Sequence, residues 1–269
     1  MELIGRQGGI DESIEKTGWL HSASVYSRQM PKTHRDAATA VAWLKSQGDP
    51  AFKAGLARYG LPTDKAFGVS VATIKHYAKT LGRDHGLAVA LWKTGWTDSR
   101  MLASFVGEPD KVTPGEMDGW CRDFDSWGIV DTVCFTLWDR SPHAWTKAKQ
   151  WTKRQPEFEK RAGFVLMACL AAHDKKAADA AFLPFLPLIE KGATDERNFV
   201  KKGVSWALRH LGHRSAKLHA AAVKTATRLS KSEDRTQRWV GKDALKDLTR
   251  PAVLTAARPR RAPRRRSCD

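Results

Sequence analysis

Trp127 and Asp131 stand four residues apart in a stretch where Asp131 lies among Val130, Val133, Cys134 and Phe135. On a helix that spacing puts both side chains on one face, one turn apart. A carboxylate and an indole then share a surface whose neighbours mark it as core. Asp125 or Ser126 is available to cap such a helix, which leaves Asp131 free of that duty. An ionised carboxylate in apolar surroundings needs a partner. Two readings follow: a buried ion pair with an arginine, or a negative group held beside an electron-rich ring to stabilise positive charge.

Two further segments carry candidate groups. Arg161 opens the apolar run from Ala162 to Ala172. It can pair with Asp131 or grip a phosphate bidentately. In the segment from Lys201 to Arg209, Trp206 and Arg209 share a helical face, and Lys201 and Lys202 approach from the preceding turn. Bases beside aromatics are what a nucleic-acid groove uses, with charge for the backbone and rings for sugars or bases. His210, His213 and His219 have a spacing that superficially suggests metal, yet no fourth ligand is apparent and basic residues crowd them, so no metal is expected. Gly-rich phosphate loops, Gly-x-Ser-x-Gly elbows and His-Glu-x-x-His pairs are absent from the sequence, and no cofactor is expected.

The elements that must position these residues read as helices. From about residue 35 onward apolar positions recur at three and four, and strand-like alternation is nearly absent. Asp49-Pro50, Thr113-Pro114 with Glu116, Ser141-Pro142 and Thr194-Asp195 are start signals. They place helices near 37–47, 51–59, 70–81, 85–94, 98–106, 114–122, 126–138, 142–153, 157–172, 176–190, 195–211, 215–230 and 235–247. Short loops between so many helices make neighbours antiparallel. The expectation is an all-α superhelical solenoid of HEAT-like antiparallel helix pairs, whose concave face suits a long polymer such as DNA. Among 11 tryptophans and three tyrosines, Trp92, Trp96, Trp120, Trp138 and Trp151 fit packing positions and read as core.

Composition narrows the partner. The formal charge of +17 draws the chain to polyanions, nucleic acid first. Part of the excess lies in a tail where Arg258, Arg260, Arg261, Arg264, Arg265 and Arg266 face Asp269 alone, but the remaining body is itself strongly basic. The chain divides into a polar N-terminal extension at 1–35, partly disordered by composition, a helical domain at 36–250 and an Arg/Pro-rich tail at 251–269. Four cysteines without a Cys-x-x-Cys pair argue against disulfides and structural zinc. No apolar run reaches the roughly 20 residues of a membrane span, and the N-terminus lacks a signal-peptide core. A cytoplasmic monomer is expected.

Six short motifs in order then acquire a joint meaning: Ala57-Arg58-Tyr59, Ala66-Phe67-Gly68-Val69, Leu91-Trp92, Asp125-Ser126-Trp127 through Asp131, Lys160-Arg161-Ala162 and Trp206-Ala207-Leu208-Arg209. Together they resemble the AlkD-type DNA alkylation repair glycosylases over about residues 40–250. The resemblance implies that 36–250 is a HEAT-like repeat glycosylase domain acting on double-stranded DNA that carries N3- or N7-alkylated purines. It implies that Asp131 is the catalytic carboxylate, with Trp127 and Trp206 as a pair of active-site indoles. It also implies that Tyr59 is an aromatic of the lesion site and that Arg161 and Arg209 contact DNA near it, beside Lys201 and Lys202.

The chain departs from the family pattern at Gly128, where relatives commonly carry a bulky or acidic residue. A glycine inside a helix costs about 1 kcal/mol against alanine and is expected to loosen the turn at Trp127. Two other readings use the same basic surface without Asp131 as a catalyst. One is a non-catalytic HEAT-like scaffold for damaged or branched DNA or for a protein. The other is an RNA-binding helical repeat, for which the repeated base-reading residues of a modular code are missing.

Overall fold

Side-chain caps set where most of the helices begin. The computed structural model describes residues 36–253, and the N-terminal extension and residues 254–269 of the tail lie outside them. Within this span Asp36, Asp49, Ser70, Asp84, Thr113, Ser215 and Asp234 each accept a bond from a backbone N–H of the turn that follows. Each removes one of the donors a helix start leaves unpaired. At Thr113 the capping box is complete, because Glu116 reaches back to the Thr113 amide. The described residues contain helices and no strand.

The chain forms two compact units, dividing after Leu166. The first contains α1 (Ala37–Ser46), α2 (Pro50–Leu56), α3 (Val71–Leu81), α4 (His85–Lys93), α5 (Thr97–Val106), α6 (Pro114–Arg122), α7 (Trp127–Thr136) and α8 (Ala144–Trp151). A 3-10 turn at Ala57–Tyr59 continues α2. Helix α9 (Glu157–His173) begins in the first unit and ends in the second. The second unit continues with α10 (Asp179–Phe182), α11 (Phe185–Gly192), α12 (Asn198–Arg214), α13 (Ala216–Ser230) and α14 (Arg235–Leu248).

In the first unit α5 packs against α3, α4 and α7. A run of tryptophans fills the space between helices. The Trp92 and Trp120 rings stack with centroids 4.1 Å apart, and Trp138 lies 5.0 Å from Trp151. These four are buried, as their helical spacing predicts, whereas Trp96 is half-buried and stacks on Phe67. The polar ends of two of these indoles are met by acids, and Trp138 Nε1 is buried without a partner among the described residues. Trp92 Nε1 donates to Asp123, and Trp151 Nε1 donates to Asp118, which also accepts from Lys147 and Arg154. Asp98 performs a different task. Buried in the first turn of α5, it accepts from the backbone amides of Phe67 and Val69 at 2.7 and 2.8 Å, while the Thr97 amide donates to the Lys65 carbonyl. The segment that follows Tyr59 is thereby fixed to α5.

In the second unit α13 packs against both α12 and α14. Gly241 lies against the α13 backbone: a Cβ there would stand 2.2 Å from the Ser230 amide nitrogen and 2.7 Å from the Ala226 carbonyl oxygen. Ser205 donates to Asp243 across to α14, and His213 meets Asp247.

Three sequence expectations shift. The helix expected over 176–190 is two, α10 and α11, interrupted at Leu183 and Pro184. Proline lacks the amide that would continue the ladder. The start expected at Thr194-Asp195 moves to Asn198, because the Asp195 carboxylate is engaged by the amide and guanidinium of Arg197. The segment at Ser141-Pro142 forms a turn before α8 begins at Ala144. No helix among the described residues is long and apolar enough to cross a membrane.

The Gly241 contact is tested by Gly241→Ala. The added methyl meets backbone that cannot rotate aside, so the variant should lose at least about 1–3 kcal/mol in urea unfolding. An unchanged midpoint would mean that α13 and α14 are not in backbone contact.

Candidate functional site

Helix α7 carries the Trp127–Asp131 pair, and its start is unusual. Ser126 has the extended backbone of an N-cap, but its hydroxyl makes no cap bond and, although buried, has no partner among the described residues. The capping expected of Asp125 or Ser126 is therefore met by Ser126 in backbone conformation only. Trp127 is half-buried and fixed from outside the helix, with its Nε1 donating to the Tyr59 carbonyl at 2.8 Å. Tyr59, at the end of the 3-10 turn, is 54% exposed. The indole is thus tied to the backbone of a residue whose own ring is exposed.

Gly128 has a positive role in this arrangement. A Cβ at 128 would lie 3.0 Å from Leu61 Cδ2. The glycine lets the Tyr59–Leu61 segment seat close against α7. The loosened turn expected from its helix propensity does not appear, since α7 runs unbroken from Trp127 to Thr136 and Thr132 donates its hydroxyl to the Gly128 carbonyl.

One turn further on, Asp131 is 6% exposed and meets Arg161 from α9 in a bidentate pair. Arg161 Nε donates to Oδ1 at 3.0 Å and a terminal nitrogen donates to Oδ2 at 2.7 Å. Of the two tasks the sequence leaves open for Arg161, the structure realises the pairing with Asp131. The guanidinium is buried there rather than standing out at a phosphate. Burial pushes the Asp131 carboxyl above the ordinary carboxylate range, and the adjacent Arg161 charge pulls the other way without cancelling it. The planar fork of arginine fixes the orientation of both carboxylate oxygens.

The remaining candidates belong to the second unit, on α12. Trp206 is buried, lies edge-to-face with His210 at 5.6 Å between centroids, and its Nε1 has no partner among the described residues. Burial pushes His210 down to about 3, with His213 and Arg209 adding to the effect, so the ring beside Trp206 is neutral at physiological pH. Arg209 Nε stands 4.0 Å from Asp243. Lys201 Nζ lies 5.3 Å from the centroid of the Trp239 ring, and Lys202 is half-exposed. His213 is taken by Asp247, and His219 Nδ1 lies at the Gly212 carbonyl.

Two residues that matter here escape a reading of the sequence. Asp98 looks like an ordinary first-turn acid, and its bonds to the amides of Phe67 and Val69 span about thirty residues. Trp239 sits in a polar helix, and its one visible signal is a large ring directly after Arg238 and near Lys242.

A family model described as DNA alkylation repair enzyme matches residues 40–248. Among solved structures, one from "a new family of proteins related to the HEAT-like repeat DNA glycosylases with affinity for branched DNA structures" aligns over 78% of this chain and 94% of its own. The TM-score is 0.64 at 21% identity, so the two share a HEAT-like helical fold. No curated protein matches the chain.

The Trp127–Tyr59 bond is tested by Trp127→Phe, which keeps a ring and removes the donor. A single hydrogen bond of about 1 kcal/mol corresponds to roughly fivefold faster amide exchange where the segment opens locally. That acceleration should appear at Gly60 and Leu61, and unchanged exchange there would show that the bond does not hold the turn.

Proposed function

This chain belongs to the DNA alkylation repair enzyme family, and from that premise we propose that it is a DNA glycosylase. Its substrates are cationic N3- and N7-alkylated purines in duplex DNA, and its reaction is hydrolysis of the N-glycosidic bond. The observation that carries this reading is Asp131, a buried carboxylate clamped bidentately by Arg161 one turn after an indole that is itself fixed to the Tyr59 carbonyl.

Alkylation at N3 or N7 gives the purine a positive charge and makes it a good leaving group without protonation. A general acid is then unnecessary. Departure of the base leaves an oxocarbenium-like sugar, and a fixed carboxylate stabilises that cation and orients the incoming water. Asp131 suits both tasks because Arg161 holds it in one orientation, so little reorganisation accompanies the charge that develops. The Trp127 indole offers a π face to the cationic base or sugar, worth about 0.5–2 kcal/mol. Tyr59 presents its exposed ring from the adjoining turn. By resemblance to the family Trp206 is read as the second indole of the reaction, and Lys201, Lys202 and Arg209 are read as contacts to DNA phosphates.

A second reading has its own support. The Asp131–Arg161 pair is complete as it stands, as a purely structural ion pair would be, and the similar solved structure comes from a family with affinity for branched DNA. On this reading the chain is a non-catalytic scaffold that binds damaged or branched DNA.

The readings separate by measuring 7-methylguanine release from methylated duplex DNA. Asp131→Asn leaves the Arg161 charge buried without its counter-charge, so it should cost about 3–5 kcal/mol of stability and lower release by orders of magnitude. Combining it with Arg161→Gln removes the stranded charge and should recover much of the stability without recovering release. A stable double variant that releases base at the unaltered rate would remove Asp131 from the mechanism. Tight DNA binding with no release by the unaltered protein would favour the scaffold.

Two further outcomes follow from the chemistry. The ionised form of Asp131 is the active one, and burial raises its pKa, so release should decline as pH falls through a value above the ordinary carboxylate range. A flat profile down to the ordinary Asp range would sink that assignment. Lys202→Ala should flatten the dependence of log affinity on log salt by about 0.9 if this lysine neutralises one phosphate. An unchanged slope would place Lys202 away from the backbone.

A further inference from the structure

Trp239 is the most exposed large apolar side chain of the second unit among the described residues, with 37% of its surface open to solvent. Packing does not explain it. The buried face of α14 is made by Val240, Gly241, Ala244 and Leu248, and Trp239 lies off that face. What it does have is a cation, with Lys201 Nζ placed 5.3 Å from the ring centroid.

The charges around the ring are sorted in an informative way. Three acids on α14 and at its start are engaged within the protein, and Glu233, just ahead of the helix, is exposed without an ion pair among the described residues. Asp234 caps α14 through the Gln237 amide, Asp243 accepts from Ser205 and lies near Arg209, and Asp247 pairs with His213 and Arg250. Arg238 donates to the Ser232 and Glu233 carbonyls, but three other bases make no ion pair. Arg235 and Lys242 are exposed on the turns before and after Trp239 and have no ion-pair partner among the described residues, and half-exposed Lys202 beside Lys201 has none either. The charge this surface offers a ligand is positive, and the shape it offers is a flat ring.

We propose that Trp239, with Lys201, Arg235 and Lys242 around it, is a stacking platform for an unpaired nucleotide of bound DNA. This rests on the reading that the chain binds DNA and adds a second kind of contact to it. A nucleotide combines a flat π face with a phosphate one sugar away, which matches an indole ringed by cations. The base must be unpaired, because a base within a duplex has both faces covered by its neighbours. The ligand is therefore a strand end, gap, flap or branch rather than an intact helix. The Lys201 ammonium, already over the ring, is placed to turn from the indole to that phosphate.

The test is the dissociation constant of the full chain for a blunt duplex and for the same duplex with a single-stranded thymidine tail, at one fixed salt concentration. The unaltered protein should bind the tailed duplex more tightly. Trp239→Ala should abolish that advantage, losing about tenfold on the tailed duplex with little change on the blunt one, in line with base–aromatic stacking. Trp239→Phe should keep most of it. No advantage from the tail in the unaltered protein would overturn the platform. So would equal losses on both ligands, or a phenylalanine variant as weak as the alanine one. Failure of the unaltered protein to bind either DNA would overturn the DNA reading itself, whereas binding to the blunt duplex with no effect at Trp239 would overturn the platform alone.

Discussion

Burying an aspartate costs several kcal/mol unless something restores what water supplied. In this protein Arg161 restores part of it with two N–H···O bonds to Asp131. Much of the first unit's local geometry answers to that one requirement. Helix α9 must present an arginine at the face of α7 where the carboxylate points. The carboxylate must sit where its own helix is otherwise apolar. The result is a negative group that cannot turn away, close to a ring that cannot turn away either. A surface aspartate would be screened and mobile, with little leverage over a cation forming beside it.

The helices were largely legible because their starts are written in single side chains. Asp49-Pro50 and Thr113-Pro114 with Glu116 begin α2 and α6 where the sequence places them, since the capping oxygen and the missing proline amide act on adjacent backbone. Where legibility failed, a competing local bond was the cause. Asp195 gives its carboxylate to Arg197 instead of to a helix start, and Pro184 divides a stretch whose apolar spacing reads as continuous.

The site was legible in another sense. Elementary electrostatics says that Asp131 needs a positive partner. It does not say which one, because Arg161 is 30 residues away and only the packing of α9 on α7 brings them together. Contacts of this range also hid Asp98, whose partners are backbone amides and therefore leave no trace in residue type. Trp239 is hidden for the opposite reason: in a chain with 11 tryptophans, residue type alone does not tell an exposed ring from a buried one.

Gly128 shows how little separates these outcomes. Its hydrogen faces Leu61, and a methyl in that place would already crowd the leucine at 3.0 Å. The Leu61 side chain therefore seats on α7 in the room that a single hydrogen leaves. Position 128 acts as a shim under the leucine that follows the tyrosine's turn, so a larger residue there presses first on the Leu61 side chain without altering any group that does chemistry.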